Sequence, residues 1–268
     1  MPDAHGGNLE ASARRLGVRP SQLLDASASL APFSLSWRAV WAGLTTSLDA
    51  YPDRRAEALR SSIAAVHRLE PDAVLPGNGA AELFTWAARD AAELGQSLLP
   101  QPGFGDYQRA LRCWGGSMAS LPLSLYWAGV GPLPFELPRP FTAPVLWITN
   151  PHNPTGQLWT RASLEPLLQR FELVICDEAF LPLVPDGEAQ SLIPLVAAHP
   201  NLVVIRSLTK LYGIAGLRLG YAVAQPARLH RWAQWRDPWP VNSVASAVAQ
   251  ELLRSPQRYV AWCERVQR

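Results

Sequence analysis

Cysteine is scarce in this sequence and net charge is nearly absent. The three cysteines, Cys113, Cys176 and Cys263, lie far apart and form no CxxC pair. Neither a disulfide framework nor a zinc site is indicated, and a reducing cytoplasm fits best. The 24 Lys and Arg residues against 22 Asp and Glu leave a formal charge of +2. That creates no strong field for nucleic acid or an anionic membrane, and the arginines are scattered rather than grouped along a groove. The five histidines, at 5, 67, 152, 199 and 230, show no i,i+4 or HxH relation, so no metal site is expected. No apolar run approaches the length of a membrane span, and the N-terminus lacks a basic start followed by an apolar core. Neither GxGxxG nor GxxxxGK[ST] occurs, and there is no internal repeat.

An apolar share of 48%, a charged share of 17% and eleven tryptophans describe a globular chain. At 268 residues, one large domain with an appendage is the natural expectation. Apolar runs at Leu98 to Pro100, Val145 to Thr149, Leu173 to Asp177 and Leu202 to Ser207 read as buried strands bounded by turn residues. Helical patterns at Gly105 to Trp114, Arg161 to Phe171 and Ser191 to Ala198 lie between them. That rhythm predicts an α/β fold with a mainly parallel sheet covered on both faces, and such sheets bind ligands at the C-terminal ends of their strands. Ahead of this core, Asn8 to Leu16 and Leu35 to Leu44 look helical, like an arm lying on something else. Pro122 to Pro144, with six prolines, reads as a long crossover packed on the surface. After Gly220 the pattern predicts a strand at Tyr221 to Ala224 and helices at Pro226 to Trp235, Asn242 to Arg254 and Gln257 to Gln267, the last set off by Ser255-Pro256.

Four segments carry candidate chemistry. In Ser207-Leu208-Thr209-Lys210, followed by Arg218, one lysine stands between hydroxyls with an arginine eight residues on. A lysine amine forms Schiff bases, a nearby cation favours its neutral form, and Ser207, Thr209 and Arg218 could coordinate a phosphate. Gly77-Asn78-Gly79-Ala80 is a glycine turn before a helix, where backbone N–H groups can hold an anion. Asn150-Pro151-His152-Asn153-Pro154-Thr155-Gly156 follows a strand, and Asn153 could donate to a phenolate oxygen. Cys176-Asp177-Glu178-Ala179-Phe180 ends another strand, and a buried Asp177 requires a cationic partner such as a protonated pyridine nitrogen. Phe104 and Tyr107 could each supply a stacking ring. Taken singly, each segment also fits a plainer role: a surface lysine, an ordinary loop, a solvated acid pair, core aromatics.

Together, in this order and spacing, NPxNPTG, DEA[FY] and S-x-[ST]-K with Arg eight residues later resemble the fold type I pyridoxal phosphate enzymes of the class I/II aminotransferase superfamily. The resemblance implies an aspartate-aminotransferase-like three-layer fold: an arm and part of a small domain at 1–50, a cofactor domain at 51–235, and at 236–268 the start of a small C-terminal domain that is largely missing. It implies that Lys210 bonds the cofactor aldehyde, that Asp177 pairs with the pyridine nitrogen and that Asn153 bonds the ring oxygen. Gly79, Ala80, Ser207, Thr209 and Arg218 would hold the phosphate and Tyr107 would stack on the ring. Tyr51, in Tyr51-Pro52-Asp53, is similar to the tyrosine that reaches the neighbouring subunit's phosphate, implying a homodimer.

Within the superfamily, His5-Gly6-Gly7-Asn8 and Pro238-Trp239-Pro240-Val241-Asn242 resemble the threonine-phosphate decarboxylase group of cobalamin biosynthesis, related to the histidinol-phosphate aminotransferases. In that group the arm bearing His5, Gly6 and Asn8 lies near a small phosphorylated amino acid. The expected reaction is decarboxylation of L-threonine O-3-phosphate to aminopropanol phosphate. The alternatives are a histidinol-phosphate-type aminotransferase and a truncated homologue that binds cofactor or a partner without turnover. Two departures concern specificity: relatives carry asparagines in the stretch that here reads Asp25-Ala26-Ser27-Ala28-Ser29-Leu30-Ala31-Pro32, and Phe180 replaces a frequent tyrosine.

Overall fold

Short apolar runs rich in Val, Ile and Leu become strands buried on both faces, because helices cover each side of a parallel sheet. The computed structural model describes residues 6–126, 131–137 and 141–268. Its seven strands are β1 (Val74–Asn78), β2 (Ser97–Gln101), β3 (Met118–Pro122), β4 (Val145–Thr149), β5 (Leu173–Asp177), β6 (Leu202–Ser207) and β7 (Leu219–Val223). They form one sheet in the order β1-β7-β6-β5-β4-β2-β3. Only β7 runs antiparallel to its neighbours, β1 and β6. The helices are α1 (Leu9–Leu16), α2 (Trp37–Leu44), α3 (Glu57–His67), α4 (Gly79–Leu94), α5 (Asp106–Cys113), α6 (Arg161–Leu164), α7 (Leu208–Tyr212), α8 (Pro226–Trp235), α9 (Ser243–Leu252) and α10 (Pro256–Gln267).

Period-two alternation divides each central strand between two cores. Leu173 and Ile175 of β5 join Val145 and Trp147 of β4 in a core with Leu83, Phe84 and Ala87 of α4 and Trp232 of α8. Val174 and Cys176 join Leu146 and Ile148 in a second core with Leu59 and Ile63 of α3, Ala245 and Val248 of α9 and Tyr259 of α10. The result is a three-layer α/β sandwich. From the N-terminal segment, α2 packs on α9. A Cβ added at Gly43 would lie 2.9 Å from Val248 Cγ2, so a glycine is what permits that approach.

Two expected helices are shorter than their apolar spacing suggests. In place of a helix from Arg161 to Phe171, α6 ends at Leu164 and a 3₁₀ segment runs from Glu165 to Gln169. In place of Ser191 to Ala198 there is only a 3₁₀ turn at Ile193–Leu195. Pro166 and Pro194 sit at the start of those turns, where the missing N–H denies the helix a hydrogen bond. Ser255-Pro256, by contrast, starts a helix: the Ser255 side chain accepts from Arg258 N–H and Pro256 takes the first position of α10. Strands β1 and β3 and helix α3 were not among the expected elements. The expected crossover after Pro122 falls partly on 127–130 and 138–140, outside the described residues; in its described part, Leu133 bridges Trp159.

Ile175 is fully buried, so Ile175→Ala is expected to cost about 2–5 kcal/mol in denaturant unfolding. Leu24→Ala, at a position 97% exposed, is expected to change stability by no more than about 0.5 kcal/mol.

Candidate active site

Strands β4, β5 and β6 end at one edge of the sheet, and a cavity of about 530 Å³ opens there. Its lining includes the chain's only lysine: every other residue among the 24 Lys and Arg is an arginine. Strand β6 delivers the chain to Ser207, and α7 follows at once, placing Thr209 and Lys210 on the cavity wall. The Lys210 carbonyl accepts from Ala31 N–H at 3.0 Å, which ties the N-terminal segment to the lysine turn. The Lys210 ammonium lies 5.7 Å from the centre of the Phe180 ring. Burial and the neighbouring Arg218 hold the amine below the usual lysine range, against the opposing pull of Asp177. A neutral amine is the nucleophilic form.

Beside it lies an anion cradle. Gly79, the first residue of α4, has φ +74°, and a Cβ there would meet the Arg218 guanidinium at 2.5 Å. Arg218 itself adopts the left-handed region at φ +54°, a strained conformation for a non-glycine residue. Gly220 lets β7 approach the start of α4, since a Cβ would lie 2.8 Å from Ala80 N. Ala80, Ser207, Thr209 and Arg218 line the cavity. Thr209 Oγ1 is buried there with no hydrogen-bond partner, and an unsatisfied buried hydroxyl is costly. An N-terminal helix end, two hydroxyls and a guanidinium make a set of donors suited to a phosphate.

Asp177 ends β5 on the cavity wall with its carboxylate held from two sides. Ala179 N–H donates to Oδ1 at 2.9 Å and the Tyr107 hydroxyl donates to Oδ2 at 2.6 Å. Burial nevertheless pushes its carboxyl up to about 6, with these hydrogen bonds opposing the rise. Asp177 therefore sits ready to meet a cation. Asn153 lines the cavity from a loop fixed by its neighbours. Asn150 exchanges hydrogen bonds with the Trp159 backbone at 2.8 and 3.0 Å, and His152 Nε2 bonds Pro102 O at 2.7 Å, joining this loop to the one that carries Phe104.

Not every expected site residue reaches the cavity. Tyr107, expected to stack on a cofactor ring, is buried behind the wall instead. The first turn of α5 drives it into the core against Phe84 and Trp147, 5.0 and 5.1 Å away, and its hydroxyl serves Asp177 and Thr149. The rings on the wall are Phe104, Phe84 and Phe180. Gly6 lines the mouth, and Gly7 N–H donates to Ser27 Oγ at 2.9 Å. Asn8 caps α1 by accepting from Ala11 N–H and does not line the cavity. His5 lies outside the described residues. Tyr51 is 79% exposed and stacked on Trp239 at 4.3 Å, away from the cavity of its own chain. Sequence reasoning did not single out Thr149 or Asp106, the latter on the wall and ion-paired with Arg109. It also missed that Lys210 has no competitor, a signal a simple count supplies.

Among the described residues no three His, Cys, Asp or Glu side chains group as a metal site, and no helix is long and apolar enough to cross a membrane.

A family model for aminotransferase class I and II matches residues 36–268. The chain is 34% identical over 262 residues to the threonine-phosphate decarboxylase of Salmonella typhimurium, covering 94% of this chain and 70% of that protein. It is 32% identical over 252 residues to the histidinol-phosphate aminotransferase of Symbiobacterium thermophilum, covering 92% and 68%. Among solved structures, the histidinol-phosphate aminotransferase from Sinorhizobium meliloti in complex with pyridoxal-5'-phosphate matches with a TM-score of 0.79 at 20% identity, over 96% of this chain and 71% of that one. At that identity the structural likeness speaks for the fold.

Because Lys210 is unique, amine-directed acetylation followed by mass spectrometry reads its titration directly in the unliganded protein. The midpoint is expected below that of a free lysine, and Arg218→Gln is expected to raise it, since removing a nearby cation favours the protonated amine. A midpoint unmoved by Arg218→Gln would show that the guanidinium does not act on the amine.

Proposed function

The chain belongs to the class I and II aminotransferases, a family of pyridoxal phosphate-dependent enzymes, and on that premise we propose that it decarboxylates a phosphorylated amino acid, L-threonine O-3-phosphate being the best fit. The observation that carries the cofactor side of this reading is the orphaned Thr209 hydroxyl beside Arg218 and the start of α4, in the same cavity as the chain's only lysine. When bound, the cofactor supplies an aldehyde and an electron-accepting pyridine ring that takes up the electron pair of a bond broken at the substrate Cα.

Ser207, Thr209, Arg218 and the amide groups of Gly79 and Ala80 would hold its phosphate. Asn153 would bond its ring oxygen and Asp177 would pair with its ring nitrogen. Tyr107, by donating to Asp177, keeps that carboxylate oriented. Phe104 takes the stacking place expected of Tyr107, because it is the aromatic of that segment on the cavity wall. Lys210 Nζ is the base near the reacting carbon: it would return a proton to Cα after carbon dioxide leaves, or remove one in transamination. Which bond breaks at Cα would depend on how the substrate carboxylate is held in the cavity.

One feature supports the decarboxylase over the aminotransferase. The Gly6–Gly7 segment reaches the cavity mouth, where a Cβ at Gly6 would meet Ser27 O at 2.1 Å, so only glycine lets the arm close there. A homodimer completes the reading. Trp37, Trp41 and Leu44 leave one face of α2 apolar and open, and Tyr51 stands exposed beyond it, suited to a second copy's cofactor phosphate.

Pyridoxal phosphate added to the purified protein is expected to give a visible absorbance band, and borohydride is expected to fix the cofactor to Lys210. Lys210→Ala should lose both and reduce turnover by about 10²- to 10⁴-fold or more. Carbon dioxide and aminopropanol phosphate from threonine phosphate are the expected products; amino transfer from histidinol phosphate without decarboxylation would overturn the choice of reaction. Trp41→Arg, at a site 62% exposed, is expected to shift sedimentation from dimer to monomer.

A further inference from the structure

A buried charged cluster lies directly beside the cavity without lining it. Strands β5 and β6 each send one residue to the cavity wall, Asp177 and Ser207, and the adjacent residue of each, Glu178 and Arg206, into an ion pair. Both partners are almost wholly enclosed, at 0% and 1% side-chain exposure. Arg206 Nε donates to Glu178 Oε2 at 2.9 Å, and its outer nitrogen lies 2.7 Å from the same oxygen. Glu178 also accepts from Ser191 Oγ at 2.8 Å and Leu192 N–H at 2.7 Å, while its own N–H donates to Ile205 O at 2.8 Å. The turn after β5 and the end of β6 are thus joined through both backbone and side chains.

The cluster reaches further. Arg206 holds Glu188 through two nitrogens at 2.7 and 3.0 Å, and the Tyr259 hydroxyl of α10 donates to Glu188 at 2.9 Å. Burial opposes ionisation of Glu188, but Arg206 and the Tyr259 hydrogen bond outweigh it and hold the carboxyl down at about 2. Close by, His67 bonds the Tyr221 hydroxyl at 2.7 Å, and burial followed by Arg206 pushes its imidazole down to about 3, leaving it neutral. The cluster therefore holds one cation against two carboxylates. Buried ion pairs repay their desolvation poorly, and well-packed apolar replacements often equal them in stability. Their directional hydrogen bonds fix position instead.

We propose that Arg206 is a positioning residue that fixes the spacing of Asp177 and Ser207 across the cavity, and that Glu188 and Tyr259 make that spacing depend on the seating of α10. It rests on the reading of Asp177 and Ser207 as cofactor-facing groups. Seating α10 draws Glu188 onto Arg206, which holds Glu178 and with it the turn that carries Asp177. Displacing α10 leaves Glu188, already 39% exposed, more open to solvent and loosens one of the two carboxylate holds on the guanidinium.

Three full-length variants test this: Tyr259→Phe, Arg206→Lys, which keeps charge but loses the planar fork, and the charge-neutral pair Arg206→Met with Glu178→Gln. Amide hydrogen exchange is measured without cofactor, and the pH midpoint of the bound-cofactor band is measured with pyridoxal phosphate. Tyr259→Phe is expected to speed exchange about fivefold at 178–180 and 205–210, consistent with the loss of one hydrogen bond, while amides of β4 and α4 keep their protection. Arg206→Lys and the charge-neutral pair are expected to do the same and to shift the band's pH midpoint. Exchange raised only within α10, or raised uniformly, overturns the proposal; so does a midpoint unchanged in all three. Failure of the unaltered protein to take up cofactor would refute the functional reading, whereas the exchange pattern decides the positioning role in either case.

Discussion

Parallel pairing obliges neighbouring strands to finish at the same edge, and in this chain that obligation builds the site. The register sets Thr149 of β4 against Asp177 of β5 and Asp177 against Ile205 of β6, so three strand ends meet within two residues of one another. Helices on both faces leave that edge as the place where side chains escape the core. Asp177 and Ser207 reach the cavity because their strands stop there, and α7 can present Lys210 because it begins where β6 ends.

The same edge makes polar groups expensive. Asp177, Glu178, Arg206 and Ser207 all lie within it, each buried. The molecule answers in two ways. Toward the second core, charge is paired internally, with Arg206 bridging two glutamates. Toward the cavity, satisfaction is left incomplete: Asp177 retains a raised carboxyl and Thr209 an unpartnered hydroxyl. Interior strain of this kind marks a surface shaped for a ligand rather than for the fold alone.

The strands and the cavity residues with a local signature were legible because period-two apolar runs and turn residues act at short range. Val145–Thr149, Leu173–Asp177 and Leu202–Ser207 could be bounded to the residue, and Lys210, Asp177, Asn153 and Arg218 follow those ends. Proline placement was harder to weigh, since Pro166 and Pro194 convert helix-like spacing into 3₁₀ turns. Choosing between Phe104 and Tyr107 required knowing which way the first turn of α5 faces, a property of packing against Phe84 and Trp147. The role of Arg206 had a sequence signal, a lone charge inside an apolar strand, but its partners Glu188 and Tyr259 lie 18 and 53 residues away. Only the fold brings them together.

Apart from Lys210, every member of the chain's Lys and Arg complement is a guanidinium. Guanidinium groups stay protonated and do not form Schiff bases as a free amine does, so apart from the α-amine this protein offers aldehydes a single amine for imine formation. Occupancy of that one side-chain amine by a cofactor would leave no second lysine to form a Schiff base in its place.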